Sequence, residues 1–239
     1  MSDTPGRLTQ EARNFCTDQA KGVAAWPFER IERAVQPNAD QARLLDDLKK
    51  AAADAAEQFK EACPDAVPLT PLSRLQTMTA RLEASLAAVK TVQPTLIAFY
   101  DSLNDEQKAR FNEIGPDLKR QPAAKAEQSA NCGGQKAGIS GLAIDRIEAI
   151  VQPTDAQQAP LDRLDDAIQK SIDTLSKACP NSSAMTPVGR LDAMQQRLEA
   201  MIAAANGIRP ALENFYAALN AEQKARFNRL GRETARSGD

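Results

Sequence analysis

The side chains best placed to do chemistry in this chain are four cysteines, and the chemistry their spacing offers is oxidation to disulfides. Cys16, Cys63, Cys132 and Cys179 form two pairs with equal internal spacing and no CxxC among them, a pattern of structural bridges in an oxidising compartment. Four unpaired thiols in a cytosolic protein, or bridges joining one half of the chain to the other, are the alternative readings. Other chemistry is scarce. With no His in 239 residues, general acid–base catalysis and zinc binding lose their commonest residue, and neither a Gly-rich phosphate loop nor a GxSxG nucleophile motif occurs. The acidic pairs Asp46-Asp47 and Asp165-Asp166 are sequence neighbours, which a helix turns to different faces, so they read as surface charge. Met185, Met194 and Met201 suggest a soft-metal site, but only Met194 has a methionine counterpart, Met78, and helical spacing assigns them to core. The expectation is a protein that is not an enzyme and takes neither cofactor nor metal.

The cysteine spacing belongs to a larger duplication. At an offset of 116 positions, the stretch from Phe99-Tyr100 through Leu103-Asn104-Asp105-Glu106-Gln107-Lys108-Ala109-Arg110-Phe111-Asn112 returns from Phe215-Tyr216 through Leu219-Asn220-Ala221-Glu222-Gln223-Lys224-Ala225-Arg226-Phe227-Asn228. The same offset lays Cys63-Pro64 on Cys179-Pro180, Thr70-Pro71 on Thr186-Pro187 and Gly115 on Gly231 without a gap. Such a repeat sets the domain reading: module 1 at 14–115, a polar linker at 116–130 and module 2 at 131–231, each large enough for a modest core. Net charge −2 with 26% charged residues lacks the basic excess of a nucleic-acid binder. No apolar run reaches the roughly 20 residues of a membrane span, and Met1–Arg7 has no signal-peptide pattern, so the expectation is a chain whose signal has been removed. Aromatics at 4% and the lack of β-branched runs leave helix as the regular structure, and the fold class is all-α.

The elements that position these residues follow from periodicity and caps. A first helix is expected from near Cys16 to Val35, with Val23, Phe28, Ile31 and Val35 at helical intervals, and an equivalent one carrying Ile139, Ile144, Ile147 and Val151; Pro37 and Pro153 stop them. Asn38 with Gln41, and Thr154 with Gln157, then form capping boxes. They open second helices with the stripes Leu44, Leu45, Leu48, Ala52, Ala55, Phe59 and Leu161, Leu164, Ile168, Ile172, Leu175. Antiparallel packing of the first two helices sets Cys16 beside Cys63 and Cys132 beside Cys179, each bridge contributing about 4 kcal/mol in the chain-entropy account. Thr70-Pro71 and Thr186-Pro187 start long third helices, which Pro94 and Pro210 are expected to kink or restart. Asn104 with Gln107, and Asn220 with Gln223, cap short fourth helices that Gly115 and Gly231 close. Lys108, Arg110, Lys224, Arg226 and Arg229 read there as a solvated face, and Trp26, whose counterpart is Leu142, as a core position.

The paired capping boxes, Pro37-Asn38-Ala39-Asp40-Gln41 and Leu103-Asn104-Asp105-Glu106-Gln107, then Pro153-Thr154-Asp155-Ala156-Gln157 and Leu219-Asn220-Ala221-Glu222-Gln223, resemble the twin LTxxQ motifs of the Spy/CpxP family, twice in tandem. The resemblance implies a periplasmic, all-helical protein of helical hairpins bent into a cradle, here with two modules standing for two subunits. It further implies an ATP-independent chaperone that holds partly unfolded clients, or a regulator docking on an envelope stress sensor. The arginines at Arg74, Arg81, Arg190 and Arg197, beside Leu and Met positions of the long helices, are the candidates for client binding.

Overall fold

The computed structural model describes residues 26–63, 66–114, 144–178 and 186–230. Among the described residues all regular structure is helical. The first repeat gives α1 (Phe28–Val35), α2 (Ala39–Glu61), α3 (Pro71–Asp101) and α4 (Asp105–Glu113), and the second gives α5 (Ile144–Val151), α6 (Asp155–Lys177), α7 (Pro187–Ala218) and α8 (Ala221–Arg229).

Local sequence accounts for most boundaries. Helix α1 turns Ile31 and Val35 inward and ends on Gln36, whose φ of 49° is left-handed, with Pro37 preventing continuation. Gln152 repeats this at φ 54° after α5. The expected single helix from Cys16 to Val35 is corrected: Trp26 and Pro27 are not helical, because the residue before a proline is held out of the α region, while Cys16 to Ala25 lie outside the described residues. Helix α2 buries Leu45, Leu48, Ala52, Ala55 and Phe59 on one stripe. Helix α3 starts where Thr70 Oγ1 accepts the Ser73 N–H at 3.0 Å, and in α7 Thr186 Oγ1 accepts the Gly189 N–H at 3.0 Å. Neither long helix restarts at its proline: Pro94 lies inside α3 and Pro210 inside α7. A mid-helix proline costs about 3 kcal/mol. Val89, Val92, Leu96 and Phe99, all buried around Pro94, each contribute about 1.5–3 kcal/mol, and this outweighs the break.

The chain forms two compact units. Unit 1 holds α1, α2, α3 from Ala80 onward, α4 and the start of α7 as far as Glu199; unit 2 holds residues 68–79, α5, α6, α7 from Ala200 onward and α8. Each unit is thus completed by the start of the other repeat's long helix. In unit 1, Leu191 joins the cluster of Ile31, Val35, Leu45, Leu48, Leu96, Phe99 and Phe111. In unit 2, Leu72 and Leu75 pack against Ile147, Val151, Leu161, Leu164, Phe215 and Phe227.

Candidate functional site

The four motif glutamines are buried and bond to one another. In unit 1, Gln41 Oε1 accepts the Asn38 N–H at 3.0 Å, and Asn38 Oδ1 accepts the Gln41 N–H at 2.9 Å. Asn104 and Gln107 make the same reciprocal box at 3.0 and 2.9 Å. The glutamine amide nitrogens then link the boxes: Gln41 Nε2 donates to Gln107 Oε1 at 2.9 Å and to the Ser102 carbonyl at 2.8 Å, while Gln107 Nε2 donates to Gln41 Oε1 at 3.0 Å and to the Val35 carbonyl at 3.2 Å. Each glutamine therefore caps its own helix and satisfies a carbonyl at the end of the helix preceding the other box, groups that a helix terminus otherwise leaves orphaned. Unit 2 repeats this clamp. Gln157 Nε2 donates to Gln223 Oε1 at 3.0 Å and the Ala218 carbonyl at 2.8 Å, and Gln223 Nε2 to Gln157 Oε1 at 2.8 Å and the Gln152 carbonyl at 3.1 Å. One difference stands at Thr154, where the Gln157 N–H bonds the Thr154 carbonyl at 2.8 Å. Glutamine alone has the length, the acceptor and the two donors this arrangement uses.

The remainder of the repeated stretch packs behind the clamp. Phe99 and Phe111 meet edge to face at 5.6 Å, as do Phe215 and Phe227 at 5.8 Å, and the Tyr100 hydroxyl donates to Asn112 Oδ1 at 3.2 Å as Tyr216 does to Asn228 at 3.1 Å. The solvated-face reading of the basic residues is corrected in part. Lys108 and Lys224 sit over the rings of Tyr100 and Tyr216, each at 5.4 Å, where the ring quadrupole attracts the ammonium, and Arg226 donates to the Val151 carbonyl at 3.0 Å. Arg110 and Arg229 remain exposed. Trp26 is half-buried and stacks on Phe28 against the unit 1 core.

The arginines named for client binding divide. Arg74 is half-buried in unit 2 and donates to the Leu230 carbonyl and, at 2.7 Å, to the Asn228 carbonyl, so it caps the C-terminus of α8. Arg190, in unit 1, is half-buried, and desolvation pushes its guanidinium below the usual arginine range. Arg81 and Arg197 are half-buried in the same unit, and Arg81 Nε is a buried atom with no hydrogen-bond partner among the described residues. The core assignment of the methionines is corrected at two positions: Met78 is 47% and Met194 52% exposed, although each keeps the helical spacing of its apolar neighbours. The spacing held a signal for this. Met78 follows Arg74 by four residues and precedes Arg81 by three, and Met194 stands likewise between Arg190 and Arg197, so on each helix arginine, methionine and arginine share one face. Met201 is half-buried, and Met185 lies outside the described residues.

Cys63 packs against Phe59, as does Ala84; Cys16, Cys132 and Cys179 lie outside the described residues, as do Gly115 and Gly231. Among the described residues no group of three acidic or cysteine side chains could hold a metal ion, and no helix is long and apolar enough to cross a membrane. An open groove of about 460 Å³ lies between α6 and α7, floored by Ser171, Ala204 and Gly207; its one mark in the sequence is Gly207 at the place of Thr91 in the first repeat.

A helical chain in which two capping boxes are joined through their glutamines, twice over, defines a class of protein by its motif. The sequence matches the LTXXQ motif family over residues 23–115 and 140–231, and the chain belongs to that family, with two modules in tandem. No curated protein and no solved structure matches it.

Proposed function

We propose that this protein is an ATP-independent holdase of the periplasm, which captures partly unfolded proteins and withholds them from aggregation. Family membership supports the class. The single observation that favours capture of clients is the repeated exposed methionine, Met78 and Met194, set between arginines on each long helix. An exposed thioether is apolar and conformationally adaptable, which suits unrelated hydrophobic segments, while neighbouring cations speed encounter. On this reading Arg81, Arg190 and Arg197 flank the contact, and Arg74 holds the helix that presents Met78. Disulfides Cys16–Cys63 and Cys132–Cys179 belong to this reading, on the equal spacing of the two cysteine pairs, and they suit an oxidising compartment.

Stabilisation of a client by mass action needs no nucleotide. The test is light scattering of a chemically unfolded client diluted into buffer with this protein and no nucleotide, against an equal mass of an inert helical protein. Suppression near one-to-one stoichiometry is expected with several unrelated clients. Absence of suppression with all of them contradicts the holdase reading and favours a regulator with one envelope partner.

A further inference from the structure

Four large apolar side chains are well exposed among the described residues: Leu69, Met78, Ile97 and Met194. Of these, Met78 and Met194 alone are counterparts of each other, 116 positions apart on α3 and α7, while the position equivalent to Ile97 holds Glu213. Met201, the third methionine among the described residues, is half-buried. Each repeat thus keeps, at one place on its long helix, an apolar side chain that solvent reaches and that a two-electron oxidant can convert. Ile97 gives α3 an exposed apolar contact without that reactivity.

We infer that Met78 and Met194 are modification sites, and that their oxidation to methionine sulfoxide by a peroxide-class oxidant switches client capture off; the switch rests on the client-binding role proposed for these faces. The thioether sulfur attacks one peroxide oxygen: an S–O bond forms, the O–O bond breaks, and the leaving hydroxide takes the proton of the transferred oxygen as water. Sulfur loses two electrons and the peroxide gains them. The product is a polar side chain where an apolar one stood, so each face loses its contact for hydrophobic segments. The new oxygen is also a hydrogen-bond acceptor, and at position 78 it arises one helical turn before Arg81, whose buried Nε has no partner among the described residues. Packing is spared, because Leu75 and Leu191 make the core contacts of the same helix segments. Methionine sulfoxide is reducible, so capture can be restored without new synthesis.

Treatment of the full chain with hydrogen peroxide, followed by peptide mass mapping and the client light-scattering assay, tests this. Met78 and Met194 should each gain one oxygen at least about fivefold faster than Met201. Helicity should stay constant while protection of the client falls to about half or less of its untreated level. Methionine sulfoxide reductases for both sulfoxide epimers should restore that protection, measured against unoxidised parent taken through the same reduction. A Met78→Leu, Met194→Leu variant, read against its own untreated level, should lose none. Equal oxidation rates at the three methionines, full protection after both sites are oxidised, a loss of helicity, or an equal loss in the leucine variant would overturn the inference. A parent that protects no client before treatment contradicts the holdase reading instead, and the modification sites then stand or fall on the oxidation rates alone.

Discussion

In unit 1, Gln41 and Gln107 join amide to amide at 2.9 Å, and in unit 2 Gln157 and Gln223 do so at 3.0 Å, yet Thr91, between α2 and α3, stands where Gly207 does between α6 and α7. The Thr91 hydroxyl is 3.0 Å from the Ala87 carbonyl and 3.1 Å from Gln58 Oε1, filling the space between α2 and α3. At Gly207 that space is empty, and Ser171 Oγ reaches the Ala204 carbonyl at 3.1 Å instead. The repeats hold to one solution where buried polar groups must all be paired, since an orphan there costs about 1–3 kcal/mol. They diverge where the alternative is water. The clamp is therefore architecture, and functional differences between the repeats belong to helix faces.

The comparison breaks most visibly in the aromatic layer. Phe111→Ala and Phe227→Ala should each lose about 3–5 kcal/mol in urea denaturation followed by circular dichroism; costs differing by more than about 1 kcal/mol would show that the layers are not equivalent. Next comes the clamp. Gln107→Ala and Gln223→Ala should cost about 2–4 kcal/mol each, because each leaves an N-cap N–H and a helix-end carbonyl unpaired. Gln107→Glu should do no better, since a carboxylate cannot donate to the Val35 carbonyl. A glutamate variant as stable as the parent would remove the clamp from the account.

Smaller changes sharpen the comparison. Gly207→Ala should raise the stability of unit 2 by about 0.5–1 kcal/mol, the helix-propensity difference, because a Cβ there would meet only Ser171 Oγ at 3.7 Å; destabilisation would mean that the groove cannot be narrowed. The smallest effect concerns pH. Bonds from the Gln195 amide and then Lys90 hold the Glu199 carboxyl below its ordinary value of 4.5. A carboxyl depressed in the folded state contributes stability above that value and loses it as pH falls through the folded pKa. Glu199→Gln should flatten this acid limb in thermal melts between about pH 5 and 3; an unchanged limb would assign it to other carboxylates.

Local physics made the clamp half legible in sequence. An asparagine or threonine three residues ahead of a glutamine announces a capping box, but the destination of the glutamine's amide nitrogen depends on a helix more than sixty positions away. Apolar stripes on α2 and α6 were legible because burial on one side imposes helical periodicity. The exchange of long-helix starts was not. Leu75 and Leu191 are equivalent in the two repeats, so their pattern states that they are buried without stating in which unit. Met78 and Met194 fit the helical spacing of core residues yet are exposed, since periodicity fixes a face and leaves open whether a neighbour covers the whole of it.

The measurement that tests the central claim most directly compares clients' aggregation with the parent and with a Met78→Ser, Met194→Ser double variant. Both substitutions lie on exposed positions, so helicity and urea midpoint should match the parent's, while light scattering of a diluted unfolded client should rise to at least about half of the unprotected signal, as the loss of an apolar hot spot predicts. Full protection by the double variant would contradict the account and move client binding away from these faces.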